Sequence, residues 1–284
     1  MQTFQFKQVD VFTRLPFMGN PVAVVIGADG LTTEEMQRIA AWTNLSETTF
    51  VLPSQHADYR LRIFTPRREL AFAGHPVIGS AHAAIENGYA APRSGVLRQE
   101  CAAGIFALTI DDSDDGRRIF VRAPDAKIDP VDATSALTAA LGTPVVAAPL
   151  RIETGPVWIV ADIGGAEKVA AVKPDLNAVA KISAALGATG VTIFGSADDG
   201  IAALHVRAFA PGDGIPEDPV CGSGNAAVGA YLRHTGALGR YGSSYTARQG
   251  MNLGRDGRIA VRISDNGVEI GGHAVTTIDG SINV

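Results

Sequence analysis

The chain has 284 residues, 46% of them hydrophobic and 19% charged, a composition that excludes a disordered or fibrous protein and leaves room for two cores. Its net charge of −5 comes without any basic stripe, which argues against nucleic acid as a partner. No apolar run approaches the roughly 18 residues of a membrane span, and the start MQTFQFKQVDVFT lacks the basic and apolar regions of a secretory signal, so a cytoplasmic protein with no membrane partner is expected.

In chain order, the alternation of FQFKQVDVF from Phe4 predicts a strand, and TTEEMQRIAAWT after Leu31 has helical spacing with a threonine cap followed by glutamate. YRLRIF from Tyr59 reads as a second strand, and a helix is expected after Gly74. The turn-rich DDSDDGRR at 111–118 marks an exposed hairpin, and PDAKIDPVDAT at 124–134 suits a linker between lobes. Further helices are expected after Ala133, Leu176 and Gly222, and strands at ALHVRAF, RIAVRI and VEIGG. The expected lobes are 1–124, to which 274–284 returns, and 125–273.

The chain also repeats itself. RIFTP at 62–66 leads to AGHPVIGSAHAAI, and RAFAP at 207–211 leads to CGSGNAAVGAYL, with the arginines 207 − 62 = 145 residues apart. GNPVAVV at 19–25 matches TGPVWIV at 154–160, TTFVL at 48–52 matches TIFGS at 192–196, and LRQECAAGIFALTI has an echo in ARQGMNLGRDGRIAVRI. One such string is permissive, but four in the same order point to a duplication.

Each half sends a strand into a glycine-containing loop and then an Ala-rich helix, through Ala73-Gly74-His75-Pro76 and Cys221-Gly222-Ser223-Gly224-Asn225. Free N–H groups and the helix dipole suit such a start to a carboxylate or developing oxyanion. With the halves packed about a pseudo-twofold axis, both starts are expected to face one cleft between the lobes.

The halves differ in two places. This alignment puts Glu47 opposite Val191 and Cys221 opposite Ala73. A carboxylate at the mouth of an apolar strand has its pKa raised by desolvation and suits proton transfer near neutral pH, although a glutamate after Asn44-Leu45-Ser46 taken alone reads as a solvated turn residue. Cys221 at a helix start reads either as a thiolate of depressed pKa or as a small packing residue. Asp218 orients a substrate amine or hydroxyl or simply forms an Asp-Pro turn. His75 is placed to hydrogen-bond substrate or share the proton, and Asn20 to cap a turn or reach the site. Arg62 and Arg207 read first as structural pairs. Neither a metal-ligand cluster nor a P-loop nor a dinucleotide fingerprint occurs, so no cofactor and no metal are expected.

The strings QVDVFTRLPFMGNPVAVV at 8–25, NLSETTFV at 44–51, RIFTPRRELAFAGHP at 62–76 and EDPVCGSGNA at 217–226 together resemble the PhzF-like phenazine-biosynthesis isomerases and, more distantly, the diaminopimelate epimerases. The resemblance spans essentially the whole chain. It implies an α+β, diaminopimelate-epimerase-like fold of two pseudo-symmetric lobes, each a sheet wrapped around a central helix. It further implies a cofactor-free isomerase in which Glu47, in NLSET, moves the proton, while His75, Asp218, Gly222 and Ser223 touch the substrate.

The expected catalytic set is therefore Glu47, His75 and Asp218, and the expected substrate contacts are Asn20, Gly74, Cys221, Gly222 and Ser223. The expected ligand is a small carboxylate-bearing metabolite, an amino or hydroxy acid, and a homodimer is in keeping with the resemblance. Epimerases of the distant family use two cysteines; here Ala73 holds the first position, which excludes a two-thiol mechanism. The phenazine-type members often have threonine where Cys221 stands. A Glu47/Cys221 two-base epimerase, and a non-catalytic small-molecule or protein-binding member of the fold, are the alternatives.

Overall fold

The computed structural model describes residues 1–197 and 199–284. The chain forms two compact units, Met1–Arg122 with Gly271–Val284 and Ala123–Ile270. Among the described residues no helix is long and apolar enough to cross a membrane.

The first unit contains β1 (Thr3–Val11), β2 (Asn20–Ile26), α1 (Thr33–Thr43), β3 (Thr48–Leu52), β4 (Tyr59–Phe64), β5 (Glu69–Leu70), α2 (Gly74–Glu86), β6 (Val96–Cys101), β7 (Gly104–Ser113) and β8 (Gly116–Arg122). The chain's final strand, Ala274–Asn283, pairs with β1. From that strand the sheet runs through β1, β2, β3, β4, β6 and β7, antiparallel except for the β2/β3 and β4/β6 pairs.

Helix α2 lies inside this sheet and is buried along most of its length, from Gly74 to Ala84. Its backbone comes close to the strands at Gly79, where a Cβ would sit 2.4 Å from Val22 Cγ1 and 2.8 Å from Val11 Cγ2. Helix α1 covers the other face, packing Met36, Ile39 and Ala40 on Val25, Phe50, Leu52 and Phe64. It starts on the expected cap: Thr32 accepts from the Glu35 amide at 3.2 Å, and the Glu35 carboxylate accepts from the Thr32 amide at 2.8 Å. It stops where Asn44 turns left-handed, at φ 55°.

The second unit contains β9 (Lys127–Pro130), α3 (Thr134–Leu141), β10 (Leu150–Glu153), β11 (Val157–Gly165), α4 (Ala166–Ala171), α5 (Leu176–Ala185), β12 (Gly190–Ser196), β13 (Leu204–Ala210), β14 (Ile215–Asp218), α6 (Gly222–His234), α7 (Leu238–Tyr241), β15 (Ser244–Gln249), β16 (Gly257–Ser264) and the first four residues of β17 (Gly267–Gly272). The sheet runs β9, β10, β11, β12, β13, β15, β16, with β11/β12 and β13/β15 as the parallel pairs. Helix α6 is the buried central helix, and α3, α4 and α5 cover the outer face through Leu137, Val169 and Val179. With β18 as the final strand, β18-β1-β2-β3-β4-β6-β7 and β9-β10-β11-β12-β13-β15-β16 are the same seven-strand order with the parallel pairs in the same places.

Two expectations are corrected. The stretch at 124–134 is not a free linker, because Lys127–Pro130 pairs antiparallel with β10, Ile128 opposite Ile152. The alignment of the two halves also shifts by one residue. Arg62 and Arg207 are equivalent: each forms a two-pronged ion pair, with Glu69 at 2.7 Å and Glu217 at 2.8 Å, and lies over Phe64 or Phe209. Their strand partners are Phe50 and Ile193, both buried on the outer helical face. Counting back equally from each, Glu47 matches Gly190, not Val191; a one-residue slip would turn the side chain to the wrong face of the sheet.

Candidate active site

Glu47 lies between the left-handed end of α1 and the first residue of β3, and its carbonyl accepts from the Ala23 amide at 3.4 Å. Strand alternation then sorts the side chains. Thr48 turns toward α1 and meets Thr43 Oγ1 at 2.6 Å, whereas Thr49 turns toward α2 and meets Ser80 Oγ at 2.8 Å. Glu47, on the Thr49 side, reaches the first turn of α2, where its Oε2 is 3.4 Å from His75 Nε2.

The Glu47 side chain is only 14% exposed. Burial pushes its carboxyl up to about 7, against a smaller downward pull from a hydrogen bond with Ser46. Such a group is divided between acid and base at neutral pH and can take a proton and return it. Gly74 and His75 are the first residues of α2, behind Ala73 as a cap without a side-chain hydrogen bond, and Asn20 is buried at the first residue of β2. The structure thus brings Glu47 and His75 together.

In the second unit Cys221 caps α6, its sulfur accepting from the Gly224 amide at 3.3 Å. The thiol is not activated. Burial, and then the charge of Asp218, raise it well above 9.0, and these outweigh the helix-end amide. Of the two readings of Cys221, the raised thiol favours the packing residue: the dipole of one helix end is a weaker influence than the removal of water.

Asp218 Oδ1 accepts from the Val220 amide at 3.0 Å. Its carbonyl accepts from Gln249 Nε2 at 2.9 Å, and Gln249 Oε1 accepts from Asn225 Nδ2 at 2.9 Å. The same Asn225 amide group donates to the Cys221 carbonyl at 2.9 Å, so a buried Asn–Gln pair ties the Asp218–Cys221 loop to α6. Ser223 Oγ accepts from Trp158 Nε1 at 3.0 Å and lies 3.6 Å from Cys221 Sγ. Asp218, Cys221, Gly222 and Ser223 thus cluster at the start of α6.

A family model described as phenazine biosynthesis-like protein matches residues 9–280. The chain belongs to this phenazine biosynthesis-like family. Within the family, antisense-enhancing sequence 1 of Schizosaccharomyces pombe is 42% identical and the match covers 99% of each chain. The trans-2,3-dihydro-3-hydroxyanthranilate isomerase of Pseudomonas aeruginosa is 31% identical, with 97% of this chain and 98% of that one covered. Among solved structures, a phenazine biosynthesis protein of Bacillus anthracis superposes with a TM-score of 0.88 at 27% identity, covering 100% of both chains.

Sequence reading passed over Trp158, Gly190 and Gln249. The first carried a signal, since TGPVWIV places a tryptophan where GNPVAVV has an alanine. Gln249 carried one too, as the repeat partner of Gln99, which is equally buried. Gly190 was hidden by the one-residue misalignment.

Proposed function

We propose that this chain is an isomerase that moves a proton within a small amino or hydroxy carboxylic acid, with Glu47 both removing and returning it. The observation that carries the reading is the Glu47 carboxyl itself, buried beside His75 and raised to about 7. His75 stabilises the ionised carboxylate and shares its proton, and Asn20 and Gly74 contact the ligand from the same unit. In the second unit Asp218, Cys221, Gly222 and Ser223 lie at the start of α6, whose amides suit an oxyanion. A single carboxyl near neutrality supplies both base and acid, so the proposed chemistry needs no cofactor. The named activity of the Pseudomonas aeruginosa relative, an isomerase acting on a dihydro-hydroxyanthranilate, supports the reaction class and the acidic amino-alcohol character of the substrate.

Cys221 as a second base is disfavoured by its raised thiol. The test is turnover in deuterated water of trans-2,3-dihydro-3-hydroxyanthranilate together with a panel of small amino and hydroxy acids. Glu47→Gln is expected to abolish both isomerisation and deuterium uptake at carbon. Full activity in that variant sinks the assignment, and binding of panel acids without exchange in the parent protein favours a non-catalytic member of the fold.

A further inference from the structure

The two central helices begin alike but are served differently. His75 and Ser223 are each the second residue of their helix, after Gly74 and Gly222. His75 is met by Glu47, a group that carries a proton, at 3.4 Å. Ser223 is met by the indole of Trp158, a group that only donates, at 3.0 Å.

Position 190, the match of Glu47, is glycine for a reason the geometry supplies. Trp158 and Gly190 are register partners on β11 and β12, and a Cβ on Gly190 would lie 2.8 Å from Trp158 Cζ3 and 2.1 Å from the Phe209 carbonyl oxygen. The side chain is missing where the ring passes.

We propose that Trp158 is a positioning residue: its N–H occupies the acceptor side of the Ser223 hydroxyl, so that the serine presents its own proton to a carboxylate or other oxyanion of the substrate. This rests on the reading of Ser223 as a substrate contact. The hydroxyl has one proton to give, and the indole cannot accept it. Among the described residues the other hydrogen-bonding neighbour of the hydroxyl is the Cys221 sulfur at 3.6 Å, a weak acceptor. The serine is held from below as well, its carbonyl accepting from Thr154 Oγ1 at 3.4 Å. A second polar group belongs to the same start of α6: Thr192 Oγ1 is fully buried, has no hydrogen-bond partner among the described residues, and lies 2.9 Å from where a Cβ of Gly224 would stand. The indole is 3% exposed, so its hydrogen bond to Ser223 is shielded from competing water.

The sequence supplies the assay. The chain has two tryptophans, Trp42 and Trp158, and Trp42 is 80% exposed and remote from this role. In a Trp42→Phe protein carrying nitrogen-labelled tryptophan, the Trp158 indole gives one N–H resonance. It is expected downfield, as hydrogen-bonded, and to move upfield when Ser223→Ala is added. Titration with anthranilate is expected to shift it in the Ser223 protein and not in the Ser223→Ala protein. Trp158→Phe, which keeps a ring without the N–H, should raise KM roughly five- to tenfold and leave kcat and the pH profile unchanged, the loss of one hydrogen bond in binding. An indole resonance indifferent to Ser223→Ala, or to saturating anthranilate, overturns the proposal, as does a Trp158→Phe protein with unaltered KM or with a reduced kcat alone. Glu47→Gln separates the two readings: it removes carbon exchange and leaves the anthranilate shift intact. If exchange survives Glu47→Gln, the proton-transfer assignment fails while the indole resonance still decides the role of Trp158.

Discussion

Replacing Glu47 by Gln is expected to stabilise the protein, and to do so only above the pH at which the carboxyl ionises in the unfolded chain. Burial raises this group from 4.5 in the open chain to about 7 in the native one. Between those values the unfolded chain has already lost a proton that the native protein keeps, so stability falls as pH rises through this window. Below the lower value both states are protonated and the cost is absent; above about 7 it is fully expressed, at about 3 kcal/mol. Only 14% of the side chain is exposed, so little of that is relieved by solvent. Gln resembles the neutral carboxyl in size and polarity at every pH. Urea unfolding of parent and variant side by side, from acid to mildly alkaline pH, gives the difference in stability, in which the titrations of other groups cancel. That difference should be near zero at the acid end and reach about 3 kcal/mol in favour of the variant above neutrality. A difference that is flat with pH, or that grows toward acid, refutes the account of Glu47 as a group ionised against its surroundings.

The remaining expectations concern the scaffold and the thiol. Gly79→Ala should cost about 1–3 kcal/mol in urea unfolding, because its Cβ meets Val22 and Val11 in the interior and neither strand is free to withdraw. Thr32→Ala removes the capping box of α1 and should cost about 1 kcal/mol by the same measurement. Cys221→Ser keeps a side-chain acceptor for the Gly224 amide and should retain activity within a few-fold; a loss of several orders of magnitude in kcat would restore the sulfur to the chemistry.

Much of this architecture was legible because it rests on local signals. The threonine cap with its glutamate, the alternation in β1 and β4, and the glycine loops ahead of α2 and α6 are short-range patterns, and the structure contains each. The repeat was legible for the same reason, since equivalent strands must present similar faces to equivalent helices. What escaped was register. TTFVL and TIFGS align by letter, yet the pairing of Phe50 with Arg62 and of Ile193 with Arg207 places them one residue differently. Register is fixed by which residues of the neighbouring antiparallel strand face each other, and the string of one strand does not reveal it. The two readings of Cys221 could not be separated because the sequence shows that it starts a helix but not how deeply the sulfur is buried. The pairing of 127–130 with β10 escaped because Pro and Asp in that stretch mimic a linker, while an edge strand tolerates both.

The corrected register also connects features that looked separate. Had Glu47 matched Val191, its absence from the second unit would be a simple replacement of one side chain by another. Matched to Gly190, it belongs to a position where both the Phe209 carbonyl and the Trp158 ring fill the space a side chain would need. Placing a carboxylate at 190 would require the Phe209 backbone to shift and would also displace the indole, the donor to Ser223. On the proposed reading, the second unit has therefore given up the capacity to titrate in order to fix a hydroxyl. A buried carboxyl near neutrality gains from a neighbour able to share a proton, whereas a site that only holds an anion gains from donors whose protonation never changes. The chemistry of the two helix starts diverges because one strand position in each unit is occupied, in the first by Glu47 and in the second by the edge of an indole.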